Sequence, residues 1–189
     1  ATRSPQVLRP YNALMQIESA GFLKTCGETW IGRRATEFPV VNVHAVDVAA
    51  SPERVFAALE DREAVAPRWH WRALLAVRAA VGRVFGWDEG IQWDRRAGPF
   101  VPGNSYAFFR IEHVEQGREL GLSVENKLTR ALVSFVIVPR ANGCRVFNVT
   151  CAVFKGRLGR AYWRVIRPFH DGLTENWLAA VRRRAEVGQ

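Results

Sequence analysis

The chain has 189 residues, 48% of them hydrophobic, with seven Trp and eleven Phe, and a domain of that size buries roughly 70% of the surface its unfolded form exposes, so its core needs neither disulfides nor a structural metal. Three cysteines, Cys26, Cys144 and Cys151, are odd in number and lack C-x-x-C spacing, which argues against a disulfide framework and a zinc site and fits a reducing, cytoplasmic setting. The formal charge is +9, but much of the excess lies between Lys155 and Gln189, where long basic side chains suit the solvated face of a helix, so no nucleic-acid partner is expected.

Residues 1 to 39 carry no sustained periodicity, apart from a possible short helix from Tyr11 to Phe22, and lack the apolar run of a secretory signal. They read as an arm laid across a domain spanning residues 40 to 189. The first strand is Val40 to Val48, nearly continuous in Val and Ala, with His44 and Asp47 as its polar exceptions. Ser51 and Pro52 then form the start of a helix whose buried side is Val55, Phe56 and Leu59. A second helix is expected from about Trp69 to Phe85, with Leu74, Leu75, Val77, Val81 and Val84 as its apolar side and Gly86 as its stop.

Beyond a Gly-, Pro- and Asp-rich loop from Gly86 to Asn104 the period becomes alternating. Four strands are expected: Ser105 to Glu115, Arg118 to Glu125, Thr129 to Pro139 and Cys144 to Phe154. Their short links make them antiparallel neighbours, because parallel pairing needs a long crossover. The chain closes on one amphipathic helix from about Gly159 to Val187. Its stripe of Trp163, Ile166, His170, Leu173, Trp177 and Val181 recurs at three and four residues, and Pro168 inside it predicts a kink near the histidine. No run approaches the 18 apolar residues of a membrane span. The fold class is α+β.

Two stretches carry a family resemblance. "VHAVDVAASPERVFAALED", Val43 to Asp61, is similar to the opening strand and short helix of the START-like helix-grip superfamily, which includes polyketide aromatase/cyclases, birch-pollen-type allergens and lipid-transfer domains. "RLGRAYWRVIRPFHDGL", Arg157 to Leu173, resembles the tail of one branch with R-P-F-H in its last helix. The resemblance implies a helix-grip fold, a curved antiparallel sheet wrapped around a long C-terminal helix, with a cavity between them for an apolar ligand. That branch often carries an acidic–His pair before its central strand. Asn126-Lys127 stands there in this chain, so no function of such a pair carries over.

His170 is the leading catalytic candidate, since an imidazole on an apolar helix face can move a proton near neutral pH; the alternative is a core histidine satisfied by backbone or a tyrosine hydroxyl. Alternation along Ser105 to Glu115 groups Phe109, Ile111 and His113 on the more apolar face, expected toward the chamber, with Arg110 and Glu112 as an outward ion pair. His113 is the second catalytic candidate. Expected ligand-binding residues are Trp163, Ile166 and Trp177 on the last helix, Phe109 and Ile111, Trp69 and Trp71 as a lid at the cavity mouth, and Asn148. Ser134 and Thr150 are further hydrogen-bonding candidates. The Trp69-His70-Trp71 run also suits plain packing. His44 and Asp47, three apart on a strand, face opposite ways and form no dyad.

No dinucleotide loop, phosphate-binding loop, nucleophile elbow or H-E-x-x-H motif is present, so no cofactor and no metal are expected. Two functions fit. One is a cofactor-independent cyclase, dehydratase or isomerase acting on a polyketide- or terpenoid-like substrate of secondary metabolism. The other is a non-catalytic carrier of a hydrophobic small molecule.

Overall fold

A sheet whose strands are apolar on both faces needs two covers, and β-strands that read as nearly unbroken apolar runs announce that need. The computed structural model describes residues 21–22, 24–61, 69–87 and 99–187; most of the expected Tyr11 helix and of the Gly86 to Asn104 loop lies outside them. A 3₁₀ helix (Gly32–Glu37) leads into β1 (Val40–Val48), followed by helices α1 (Pro52–Glu60) and α2 (Trp69–Val84). Strands β2 (Ser105–Tyr106), β3 (Phe109–Glu115), β4 (Glu119–Glu125), β5 (Thr129–Arg140) and β6 (Gly143–Phe154) come next, and α3 (Gly156–Glu186) closes the chain. The strands form one antiparallel sheet in the order β1-β6-β5-β4-β3-β2. This is an α+β helix-grip fold, with a curved six-stranded sheet and a long C-terminal helix.

Local chemistry sets the ends of the helices. The Ser51 hydroxyl accepts from the Arg54 amide with Pro52 in the first turn of α1, as the sequence predicts. In α2 the Gly86 amide donates to the Arg83 carbonyl and the Trp87 amide to the Gly82 carbonyl, a Schellman stop that needs the left-handed φ of 62° at Gly86. α3 runs through Pro168 and starts three residues earlier than its periodicity suggests.

One sheet face packs Ile111, Leu122, Val133, Phe135 and Val146 against α1 and the C-terminal half of α3. Val43, Leu132, Val136, Phe147 and Val149 form the other face, covered by Phe22, Ile31, Ala35 and Phe38 from the segment before β1. Glu119 ties that segment down. Fully buried, its carboxylate accepts the amides of Trp30 (2.7 Å) and Ile31 (3.0 Å) and the Ser134 hydroxyl (2.8 Å). Gly121 beside it leaves room for the Trp30 ring, which a Cβ would meet at 2.8 Å.

Three expectations change. The strand expected over Ser105 to Glu115 folds back on itself: Ala107, at φ 55°, and Phe108 form a two-residue hairpin turn that pairs Tyr106 with Phe109. Tyr106 is thereby buried, its hydroxyl donating to the Leu59 carbonyl at 3.0 Å. A bulge at Glu112 then pairs Ile111 with Leu122 but His113 with Gly121, which turns His113 to the opposite sheet face. Finally, Leu74, Val77, Val81 and Val84 of α2 are exposed and Gly82 is its buried residue. The apolar residues of α2 spread around much of its circumference, so periodicity alone did not choose the inward side.

Glu119→Ala leaves two backbone amides without their acceptor and the Ser134 hydroxyl with only the Leu120 carbonyl, and should cost about 3 kcal/mol. Glu119→Gln, which keeps one acceptor oxygen, should cost about half as much. Urea unfolding of both variants checks the order, and equal stability of Glu119→Ala and wild type would refute the tie.

Candidate functional site

The two polar residues of one β1 face, Asn42 and His44, lie two apart and therefore point the same way. Their partners across the ladder are Thr150 and Asn148 of β6, so four polar side chains interrupt an otherwise apolar sheet edge. The middle of α3 crosses this edge and lowers His170 and Asp171 onto it, both half-buried. Asp171 Oδ1 accepts from Asn42 Nδ2 at 2.7 Å and stands 3.4 Å from both His44 Nε2 and His170 Nδ1. Arg167 Nε lies 3.7 Å from the other carboxylate oxygen, and Glu175 lies 3.9 Å from His44 Nδ1. The Thr150 hydroxyl is 3.4 Å from His170 Nε2. At that length the imidazole contacts are weak hydrogen bonds, and the Asn42 amide is the firm anchor.

Burial alone would raise the Asp171 pKa. Hydrogen bonds from His170, His44 and Asn42, with the charge of His170, outweigh burial and hold the carboxyl well below the usual carboxylate range. Asp171 is therefore a fixed negative charge between two imidazoles. A carboxylate in that place orients each ring: in the neutral form His170 would present Nδ1–H to it and keep Nε2 as an acceptor, and His44 would present Nε2–H. Apolar walls adjoin the cluster. Trp163 stacks on Phe154 with ring centres 4.7 Å apart and meets His170 edge-on at 5.3 Å. Among the described residues, Asn42 Oδ1 and Trp177 Nε1 are buried without hydrogen-bond partners.

The residues expected at the site divide into three groups. His170 and Trp163 meet on α3, Asn148 lies opposite His44 across the ladder, and Ile166 is half-buried on the same helix. Phe109, Ile111 and Trp177 lie on the same sheet face but inside the packed core, where Trp177 stacks on Tyr106 at 5.7 Å and meets Phe135 at 4.8 Å. His113, Trp69 and Trp71 lie elsewhere. The Glu112 bulge puts His113 against Trp30, the two rings parallel at 5.8 Å. Trp69 is 79% exposed and Trp71 lies against Gly172, on the side of α3 turned from the sheet, so neither closes a mouth over His170.

Asp171, His44 and Asn42 were missed. Weighing His44 only against Asp47 on its own strand overlooked a partner 127 residues away. The available signals were Asn42 and His44 at i, i+2 in an apolar strand, and an Asp directly after the singled-out histidine. Asp47 instead lies near Arg140 and Arg145, and Ser134 bonds to Glu119 on the far face. Arg110 and Glu112 do form the outward ion pair, at 3.7 Å.

Other reactive groups are quieter. His113, Glu115 and Glu119 can bring one ligand atom each within 4.8 Å of one another, but the Glu119 oxygens already serve the Trp30 and Ile31 amides. Burial pushes the thiols of Cys26 and Cys144 up to about 11 and that of Cys151 up to about 12, so none is a ready nucleophile.

The chain matches the family described as "Protein of unknown function (DUF2867)" over residues 34–175, most of its length, and belongs to that family. No curated protein matches it. Among solved structures it is similar to protein Ms6760 from Mycobacterium smegmatis, at 10% identity and TM-score 0.51 over 79% of this chain and 92% of that one. Protein CV1439 from Chromobacterium violaceum aligns at 16% identity and TM-score 0.44 over 76% and 98%. The di-domain ARO/CYC StfQ from the steffimycin biosynthetic pathway aligns at 12% identity and TM-score 0.47, over 93% of this chain and 60% of that chain. At such identities the likeness is one of fold.

Asp171 has a depressed folded pKa, so its contribution to stability is complete above its unfolded value near 3.8 and is lost as pH falls through the folded value. Asp171→Asn should therefore be less stable than wild type by about 2 kcal/mol at pH 5, with the gap closing progressively below about pH 4. Thermal unfolding across pH 2 to 6 tests this, and a gap independent of pH would contradict the ionised pairing.

Proposed function

We propose that this protein binds an apolar small molecule, polyketide- or terpenoid-like, between the inner sheet face and the N-terminal half of α3. There the His44–Asp171–His170 cluster moves a proton on it, in a cofactor-free cyclisation, dehydration or isomerisation. The observation that carries this reading is a half-buried, ionised carboxylate holding two imidazoles beside an aromatic wall. A structural salt link would need one partner; here one carboxylate oxygen addresses an amide and two rings. His170 Nε2, next to the Thr150 hydroxyl, is the general base or acid, and Asp171 fixes its tautomer. The unpartnered Asn42 Oδ1 offers an acceptor for a polar group on the ligand, beside the Trp163 and Phe154 rings. Orientation of a folded substrate would supply most of the rate enhancement. The resemblance of the opening and closing motifs to the START-like superfamily supports the same ligand class.

Native mass spectrometry of the purified protein should show a bound apolar molecule, and Ile166→Trp, which adds bulk one helical turn from His170, should expel it. Protein that carries no adduct and does not quench an added anthraquinone probe would overturn the binding reading. With the adduct as substrate, His170→Gln and Asp171→Asn should each slow turnover by about 100-fold or more. A bound molecule that is never converted, by wild type or variant, would remove the proton transfer and leave a carrier.

A further inference from the structure

Helix α2 is amphipathic the wrong way round. Trp71, Leu75, Arg78 and Gly82, spaced four, three and four apart, form its half-buried inner side, where Trp71 lies on Gly172 and Arg78 Nε donates to the Tyr162 hydroxyl at 3.1 Å. Its outer side is Trp69, Ala73, Ala76, Val77, Ala80 and Val84, all exposed and all apolar. Trp69, Val77 and Val84 are 79%, 62% and 81% exposed. Gly172 is about 200° around α3 from His170, so α2 lies on the side of α3 away from the sheet. On α3 itself Leu158, Val165 and Phe169 are also exposed, and their spacing of seven and four places them on one line.

The charges around these residues have one sign. α2 contains three Arg and no acid, and α3 from Gly156 to Phe169 contains four Arg and no acid. Arg72, Arg83, Arg157, Arg160 and Arg164 are exposed, and among the described residues none of them stands in an ion pair. Elsewhere some arginines are matched, as in Arg182 with Glu186 and Arg184 with Asp61. We infer that α2 and the adjoining face of α3 dock on an anionic bilayer surface, the apolar line entering the headgroup boundary and the arginines meeting lipid phosphates. A helix lying in that plane needs an apolar face with Trp and aliphatic side chains, flanked by arginine and free of carboxylates. A second copy of this chain would bury the same apolar face but set arginine against arginine, and nucleic acid would meet the charge while leaving Trp69, Val77 and Val84 in water. The bilayer satisfies both features. This inference does not depend on the proton transfer proposed above.

Vesicle sedimentation provides the test. Full-length protein should bind vesicles of phosphatidylcholine with roughly one-third phosphatidylglycerol at least about tenfold more tightly than phosphatidylcholine alone, and the binding should weaken as salt rises. Val77→Ser with Val84→Ser, and separately Arg72→Gln with Arg83→Gln, should each lower it about tenfold with helical content unchanged by circular dichroism. Absent binding to the anionic vesicles, or binding unaltered in the serine variant, overturns the proposal. So does a dimer in light scattering that the serine variant dissociates without any vesicle binding, which assigns the face to a second copy. Retention of duplex DNA at physiological salt without vesicle binding assigns the charge to nucleic acid instead.

Discussion

Everything in this fold follows from a sheet that cannot tolerate water on either face. β5 and β6 are buried along most of their length on both sides, so each face must recruit its own cover. The segment before β1 supplies one, and it does so only because Glu119 accepts the Trp30 and Ile31 amides that would otherwise be buried unpaired. α3 and α1 supply the other. One helix is about 10 Å wide, whereas six strands at about 4.8 Å spacing span roughly 24 Å. α3 therefore cannot cover the inner face alone, and Trp177, reaching to Phe135 and Tyr106, fills the part it leaves.

That division of labour decides where chemistry can sit. Toward β3, β4 and β5 the inner face is aromatic and aliphatic, with ring packed on ring, and offers little room. Toward β1 and β6 it is polar, and buried polar groups must find partners. Asp171 meets much of that need at one point, so the group that seats α3 on the β1 edge also orients the two imidazoles. Site and scaffold are the same contact. Gly159, which lets α3 approach the Leu128 carbonyl to where a Cβ would stand 2.7 Å away, fixes the other end of the helix and so the depth at which His170 arrives.

The sequence was legible wherever one physical signal acted alone. β1 matched its expected ends, Ser51-Pro52 opened α1, Gly86 stopped α2, and short links gave antiparallel neighbours. It misled where two signals competed. Between Ser105 and Glu115 an alternating pattern suggested one strand, but a turn at Ala107 and a bulge at Glu112, neither marked by Gly or Pro, break the alternation and carry His113 to the far side. In α2 apolar residues spread around the helix hid which face was inward. The pairing of His44 with Asp171 was beyond local reading, because nothing in a strand pattern says which residue of a distant helix will cross above it.

α3 ultimately separates two kinds of chemistry by angle around its axis. Its inward side carries His170 and Asp171, paired to the sheet; its outward side at the same level carries Gly172, the contact point for α2. Along the axis the charge pattern changes too. Near the C-terminal end Arg182 and Arg184 are neutralised by Glu186 and Asp61, and Glu186 also accepts the Ala49 amide at 2.9 Å, so that end is bound to the domain. From Gly156 to Phe169 there is no carboxylate, and Arg157, Arg160 and Arg164 face solvent, while Arg167 turns toward Asp171. Exposed arginines without an ion partner among the described residues cost little in water, so stability does not explain their clustering; the proposed anionic surface does. Because the docking face and the proton-moving cluster occupy opposite sides of one helix, substitutions on either can be made without touching the other, and the two roles are separable by experiment.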